Sequence, residues 1–181
     1  IRLGSIDNNS QLYDLRLNFT GNATVRALQY SGYLMGNEGT LRISATGDLT
    51  IEEAMAFRAP LVVDVAGTFA VGALKGDGKT MDVRAKDIRL GSANLTLGGA
   101  GSIVADKEFS VNDFYYRGYS YGTLDIRAAR QAGTIASLGT YDGDLTFTIA
   151  EGDFRAGYVN IESGIFTLEA LTGSLLVDTV H

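Results

Sequence analysis

A short motif, glycine-x-apolar-x-apolar, recurs along this sequence and limits what the chain can fold into. Four copies are spaced 21 residues apart and begin at Gly101, Gly122, Gly143 and Gly164. The phase persists approximately upstream, where the corresponding first residues are Gly39, Ala59 and Lys79. A period of roughly 20–50 residues is typical of repeated supersecondary units. Twenty-one residues fit either one hairpin or one coil of a β-solenoid.

Apolar and polar residues alternate with a period of two through much of the chain, as in residues 40–51. This alternation predicts half-buried strands, because successive side chains of a strand point to opposite faces. Segments rich in charge, at 75–79, 105–108 and 150–153, the first and last of which also contain glycine, separate the runs as hairpin loops do. The sequence therefore predicts an all-β fold, an elongated antiparallel β-meander of hairpin repeats curled into a groove (a β-taco). A parallel β-solenoid is the alternative.

The domain organisation follows from the same repeat. Residues 1–181 are expected to form a single repetitive β domain, and the start at Ile1 suggests a segment excised from a longer protein. One stretch also fits a helix. Thr50 and Glu53 have the spacing of a capping box, and Pro60 would end a helix. A short helix over 51–58 therefore competes with a strand there.

The repeat predicts that apolar side chains form columns along the sheet. The first expected column contains Leu41, Leu61, Met81, Ile103, Leu124, Leu145 and Phe166. The second contains Ile43, Val63, Val83, Ala105, Ile126, Phe147 and Leu168. If the sheet stays open, these columns line a groove for lipid acyl chains, since burial contributes about 0.8 kcal/mol per methylene. If the sheet closes, the same residues form a packed core.

The segment from Gly118 to Gly122 spells G-x-S-x-G, the nucleophile elbow of serine hydrolases, with Ser120 at its centre. That elbow needs a following helix, a histidine base and a carboxylate. The residues after Gly122 alternate as a strand, and the single histidine is the last residue, His181. We therefore predict no catalytic residue and no enzymatic activity.

Tyrosines and an arginine are concentrated in the same segment. If residues 115–127 form one strand, Tyr115, Arg117, Tyr119 and Tyr121 share a face. That face is either a solvated strand surface or an aromatic–arginine ledge for sugar rings or lipid headgroups.

Composition narrows the range of partners and cofactors. The net charge is −6 and no basic stripe is present, which predicts that nucleic acid is not a partner. Cysteine is absent, so disulfides and thiolate metal sites are excluded. The calcium-loop fragments around Asp77 and Asp142 lack the terminal glutamate of a full loop. No cofactor and no metal site are expected.

The segments "ISATGDLTI", "VDVAGTFAV", "GGAGSIVA" and "EALTGSLLV" resemble the AsmA/TamB superfamily of bacterial envelope proteins. The resemblance spans about residues 13–180 and is one of texture rather than of a diagnostic motif. It implies a β-taco or repeating β-groove fold in the periplasm or cell envelope of a Gram-negative bacterium. It also implies membrane anchoring outside this segment, other envelope proteins as partners, and a lipid or other apolar ligand.

Two functions are therefore expected from the sequence. The first is non-enzymatic binding or conduction of lipid in an apolar groove, for lipid transport or outer-membrane biogenesis. The alternative is a secreted or cell-surface β-solenoid, such as an adhesin or autotransporter passenger that binds carbohydrate.

Overall fold

A computed structural model describes residues 1–8, 14–31, 33–34, 37–119 and 121–181 and shows a parallel β-solenoid. Successive coils stack so that equivalent strands of neighbouring coils pair in parallel and in register. The predicted antiparallel meander is therefore wrong, and its alternative, the parallel solenoid, is confirmed. Within the described ranges, no helix is long and apolar enough to span a membrane.

The described residues form eighteen strands, whose bounds are as follows. They are β1 (Arg2–Leu3), β2 (Ile6–Asn8), β3 (Leu15–Phe19), β4 (Ala23–Val25), β5 (Leu28–Tyr30), β6 (Tyr33–Leu34), β7 (Asn37–Glu38), β8 (Leu41–Ala45), β9 (Leu49–Phe57), β10 (Leu61–Gly78), β11 (Met81–Leu97), β12 (Ala100–Gly118), β13 (Thr123–Gln131), β14 (Ile135–Tyr141), β15 (Asp144–Ile149), β16 (Phe154–Ile161), β17 (Phe166–Ala170) and β18 (Leu175–Val180). Among these strands, only β6 and β7 pair antiparallel.

The segments predicted to be hairpin loops turn or kink the chain within a coil instead of reversing it onto a neighbour. Residues 75–79 form the end of β10 and the turn after it, and 150–153 separate β15 from β16. Residues 105–108 lie inside β12, where the pairing register shifts between Ala105 and Glu108. Such an irregularity bends a strand without ending it. Glycine and charge therefore mark corners of the coil here.

Of the two structures that compete over 51–58, the strand forms and the helix is wrong, because residues 51–57 lie in strand β9 and Arg58 follows its end. Leu49, Ile51 and Met55 alternate into the core, while Glu52 and Glu53 both face outward where the register against β10 shifts. Glu53 accepts a hydrogen bond from Arg26 Nε at 2.8 Å, and Glu52 accepts one from Arg2 Nη2 at 3.0 Å. The acidic pair that suggested a helix N-terminus instead contacts arginines of the two preceding coils.

The apolar columns exist, but coil length varies and this changes their membership. From Met81 to Gly101 is 20 residues, whereas from Gly101 to Leu124 is 23. Gly101 therefore occupies the first column, and Ile103, which the sequence placed there, lies in the second. Leu97 fills the space at Gly101, since a Cβ there would lie 2.5 Å from Leu97 Cδ1. The observed first column is Leu15, Leu41, Leu61, Met81, Gly101, Leu124, Leu145 and Phe166.

The columns pack against one another inside the coils and form one core. Phe147, fully buried, is at the centre of an aromatic group in which its ring centroid lies 5.3 Å from Phe109, 6.3 Å from Phe114 and 5.3 Å from Phe154. All three contacts are edge-on, the geometry that aromatic quadrupoles favour. The core is therefore continuous from coil to coil.

Aspartate and asparagine side chains join neighbouring coils at their corners, and we call this set the Asx ladder. In each case the side-chain oxygen accepts a hydrogen bond from a backbone N–H of the following coil. The pairs are Asp14 with Thr40 N, Asn22 with Asp48 N, Asp48 with Thr68 N, Asp87 with Glu108 N, Asp144 with Ile165 N, and Asp153 with Ser174 N. The bond from Ser174, with Arg155 beside it, lowers the pKa of Asp153.

Candidate functional site

The turn between β12 and β13 is two residues longer than the turns stacked against it. In the sequence, four residues separate Gly118 of β12 from Thr123 of β13, whereas only Gly98–Gly99 and Asp142–Gly143 separate the equivalent strands of the neighbouring coils. Tyr119 N donates to Leu97 O of the preceding coil at 2.8 Å, which ties the base of the turn to the stack. Insertions in repeat proteins map to loops, which often form the binding face. The longer turn therefore marks a candidate site.

Tyr121 stands out from this turn. Gly122 N donates to Tyr119 O at 3.0 Å and closes the turn, and Tyr121 precedes Gly122 with a φ of 72°. A positive φ at this point of a turn favours glycine or asparagine, so a tyrosine here is strained. Its side chain is 97% exposed, so core packing does not compensate for that strain. Strain of this kind occurs preferentially at functional positions.

Arg117 lies between two aromatic rings beside this turn. Its guanidinium carbon is 4.6 Å from the ring centroid of Tyr119 and 4.7 Å from that of Tyr141, which is opposite Arg117 in the register of β12 and β14. These distances are those of cation–π contacts. Arg117 Nε is buried and has no hydrogen-bond partner among the described residues.

Tyr115 lies over a glycine in the adjacent coil. Its register partner on β14 is Gly139, and a Cβ added to Gly139 would be only 3.0 Å from Tyr115 Cδ2. The ring therefore occupies the space that a side chain at position 139 would fill. Tyr115 is 39% exposed and Gly139 is buried, so the ring covers the glycine and keeps part of its surface in solvent.

The structure places the four predicted ledge residues at the end of β12 and in the turn after it, and not on the single strand over 115–127 that the alternation suggested. Strand β12 ends at Gly118, so Tyr115 and Arg117 are on the strand while Tyr119 and Tyr121 are in the turn. Gly139 and Tyr141 join them and were not predicted. Gly139 and Tyr141 each lie 24 residues after their register partners on β12, which are Tyr115 and Arg117. A fixed 21-residue period therefore does not align them. We call these six residues the aromatic ledge.

The serine of the G-x-S-x-G motif, Ser120, lies outside the described residues. The chain after Gly122 forms strand β13, as predicted, and not the helix that a nucleophile elbow needs. Within the part of the chain that the structure describes, no three acidic or histidine side chains group as metal ligands would.

The residues predicted to line a lipid groove lie in the interior of the solenoid. Eleven of the thirteen are at most 2% exposed, and they are Leu41, Ile43, Leu61, Val63, Met81, Val83, Ile103, Leu124, Ile126, Leu145 and Phe147. The other two, Phe166 and Leu168, are half-buried on β17.

Tyr116 is the buried neighbour of the aromatic ledge. Its side chain is fully buried, and its hydroxyl has no hydrogen-bond partner among the described residues. Burial disfavours the phenolate and, with the nearby Asp144 carboxylate, raises the pKa of Tyr116 to about 12.

This raised pKa predicts a loss of stability at high pH. The unfolded chain releases the Tyr116 proton near pH 10 and the folded chain only near pH 12, so folding stability should fall as the pH rises from 10 to 12. Tyr116→Phe should remove the loss of stability that Tyr116 causes between pH 10 and 12. It should not lower stability at pH 7, because the hydroxyl that it removes has no hydrogen-bond partner among the described residues. Urea unfolding of both proteins at pH 7, 10 and 12 tests this. Parallel pH profiles would contradict it.

Comparison of this chain with known protein families, with curated protein sequences and with solved structures finds no match to any of the three.

Proposed function

We propose that this chain is the β-solenoid scaffold of a secreted or cell-surface binding protein and that the aromatic ledge binds carbohydrate. The observation that carries the proposal is the two-residue insertion, which breaks the coil period where it presents Tyr119 and Tyr121 beside the Arg117 stack. The equivalent turns of the neighbouring coils have two residues each.

The chemistry of the aromatic ledge suits sugars. A pyranose ring has an apolar face of C–H groups that can stack on an aromatic ring, and hydroxyls that need polar partners. Tyr115 offers a partly exposed ring over Gly139, and Tyr121 is almost fully exposed. The phenol hydroxyls and the Arg117 guanidinium are hydrogen-bonding groups beside these rings.

The scaffold suits a binding role because it is stiffened by its own repetition. Each coil is hydrogen-bonded to the coils beside it along β12 and β14, the strands that carry Tyr115, Arg117 and Tyr141. Side chains placed on such strands are held more accurately than side chains on free loops. The part of the ledge on β12 and β14, namely Tyr115, Arg117, Gly139 and Tyr141, is therefore formed before any ligand binds.

A glycan array with the purified protein tests the proposal. We expect Tyr115→Ala and Tyr121→Ala each to weaken glycan binding about tenfold, which corresponds to about 1.4 kcal/mol. Tyr115→Phe should retain most of the binding, because the ring is kept. Arg117→Ala should also weaken glycan binding, and Arg89→Ala, its matched control, should not, since Arg89 is an exposed arginine on β11 away from the ledge. An array without any bound glycan, or equal losses for Arg89→Ala and Arg117→Ala, would refute the assignment.

Lipid conduction stays a prediction. The feature that favours an apolar ligand is the surface around β17, where Phe166 and Leu168 are half-buried and Ile165 and Leu171 are exposed. Native mass spectrometry of the purified chain, searched for copurifying phospholipid, separates this function from glycan binding. Bound phospholipid that is lost in Phe166→Ser would favour the lipid function.

A further inference from the structure

We propose that the aromatic ledge is the centre of a longer track for one linear, uncharged, β-1,4-linked polysaccharide that lies across the coils, with Gly139 as a positioning residue. This inference rests on the proposed carbohydrate function and adds the class of sugar chain, its direction and its means of alignment. We define the track by its residues, Lys75, Asn94, Tyr115, Gly139 and Asn160.

The track is a straight row on the outside of the solenoid. Lys75 pairs in register with Asn94, Asn94 with Tyr115, Tyr115 with Gly139, and Gly139 with Asn160. These five positions lie on strands that neighbour one another in the stack, namely β10, β11, β12, β14 and β16. Their side chains point the same way, because each position is the register partner of the next. Four steps of about 4.8 Å give a row about 19 Å long. A row of this length fits several sugar rings and exceeds what a single ring needs.

The row continues toward the first coils as a depression in the surface. Gln29 pairs with Ala56, and Ala56 with Lys75, so these residues extend the same row. Gln29, Ala56, Lys75 and Asn94 line a shallow groove with a volume of about 400 Å³. Small Ala56 forms part of its floor, with longer polar side chains on either side. The surface beside the aromatic ledge is therefore concave along the direction of the row.

The charges along the track favour an uncharged chain. Lys75 and Asp77 are two residues apart on β10 and both are exposed, so a cation and an anion face the same side. Asp113, also exposed, precedes Tyr115 by two residues on β12. Charges of both signs therefore lie beside the row, whereas the amides of Asn94 and Asn160 can both donate to and accept from sugar hydroxyls.

Gly139 sets the orientation of the Tyr115 ring. Because Gly139 has no side chain, the Tyr115 ring can lie close to the sheet. A Cβ added at position 139 would be only 3.0 Å from Tyr115 Cδ2. A valine at position 139 would push the ring outward and place its edge across the row. A flat ring is what an extended chain needs, because β-1,4 linkage keeps successive pyranose rings in a straight ribbon with their faces accessible for stacking.

Isothermal titration calorimetry with cello- and chito-oligosaccharides of two and six rings tests the track. For at least one series, we expect the native protein to bind the hexasaccharide about tenfold or more tightly than the disaccharide. Gly139→Val should weaken hexasaccharide binding about tenfold, as Tyr115→Ala does, while the circular dichroism spectrum stays native. Asn94→Ala should weaken hexasaccharide binding and leave disaccharide binding nearly unchanged.

The outcomes distinguish the track from the proposed function on which it rests. Glycans bound on the array, together with equal or undetectable affinity for both lengths in both series, would overturn the track and leave the carbohydrate function intact. A Gly139→Val variant that folds natively and binds the hexasaccharide with unchanged affinity would also overturn the track. Absence of binding in both the array and calorimetry would overturn both proposals.

Discussion

Phe147→Ala is expected to lower the free energy of unfolding by about 4 kcal/mol, because it empties the centre of the core. Phe147 is fully buried and its ring edge contacts Phe109, Phe114 and Phe154. Truncation removes its apolar surface from the core and leaves a cavity between β12, β15 and β16, which the hydrogen-bonded coils cannot collapse to fill. Urea unfolding followed by far-UV circular dichroism measures the loss.

Phe166→Ala is the matched control for this prediction. Phe166 is also a phenylalanine on an inward column, but it is only half-buried on β17. Since less apolar surface returns to water, its truncation should reduce stability by about 1–2 kcal/mol. Equal losses for the two variants would mean that the aromatic group around Phe147 contributes nothing beyond ordinary burial.

Gly91→Ala is expected to cost about 3 kcal/mol, although it adds a single methyl group. Gly91 lies in the middle of β11 where the chain passes close to Gly72 of β10, and its added Cβ would lie 2.3 Å from the Gly72 carbonyl oxygen. That atom is backbone and is held between hydrogen-bonded coils, so relief of the clash requires the two coils to separate locally. Thermal unfolding monitored by circular dichroism should show a clear drop in Tm.

Gly98→Ala is the control for the glycine prediction. Gly98 lies in the turn between β11 and β12, and an added Cβ meets no atom of the described residues within 4 Å. We expect a change of no more than about 0.5 kcal/mol. If Gly91→Ala were as mild as Gly98→Ala, the close approach of β10 and β11 at Gly72 would not be a feature of the folded protein.

The sequence was sufficient to predict which faces of the strands are buried, but not the direction in which strands pair. Leu41, Ile43 and Ala45 are buried and alternate with the polar residues Arg42 and Ser44, and this pattern is the same in a hairpin and in a parallel coil. The direction depends on whether glycine and charged residues reverse the chain or bend it. At 105–108 the charged residues Asp106, Lys107 and Glu108 lie where the chain bends, because the strand continues on both sides with a register shift.

Besides the direction of strand pairing, the 21-residue period did not predict the length of each coil. Counting 21 residues from repeat to repeat places Ile103 beside Leu124, whereas the hydrogen bonds pair Gly101 with Leu124. The difference arises because the sequence has four residues between Gly118 of β12 and Thr123 of β13, two more than separate the equivalent strands of the neighbouring coils. The same irregularity produces the candidate site, so the place where the period breaks is also the most informative for function.

The helix prediction failed for a related reason. The capping-box spacing of Thr50 and Glu53 is a local signal, and it does not include partners that are distant in the chain. In the solenoid Glu53 is 27 residues from Arg26 and Glu52 is 50 residues from Arg2, yet each pair is hydrogen-bonded. Contacts between coils therefore override the local preference.

The Asx ladder gives the stack a direction that has a consequence for how the chain is made. Asp14, Asn22, Asp48 and Asp87 each hold an acceptor toward the coil that comes later in the sequence. A completed coil thus presents oriented acceptors to the segment that a ribosome or a secretion pore would release next. The protein is suited to vectorial assembly, in which each finished layer templates the one that emerges after it.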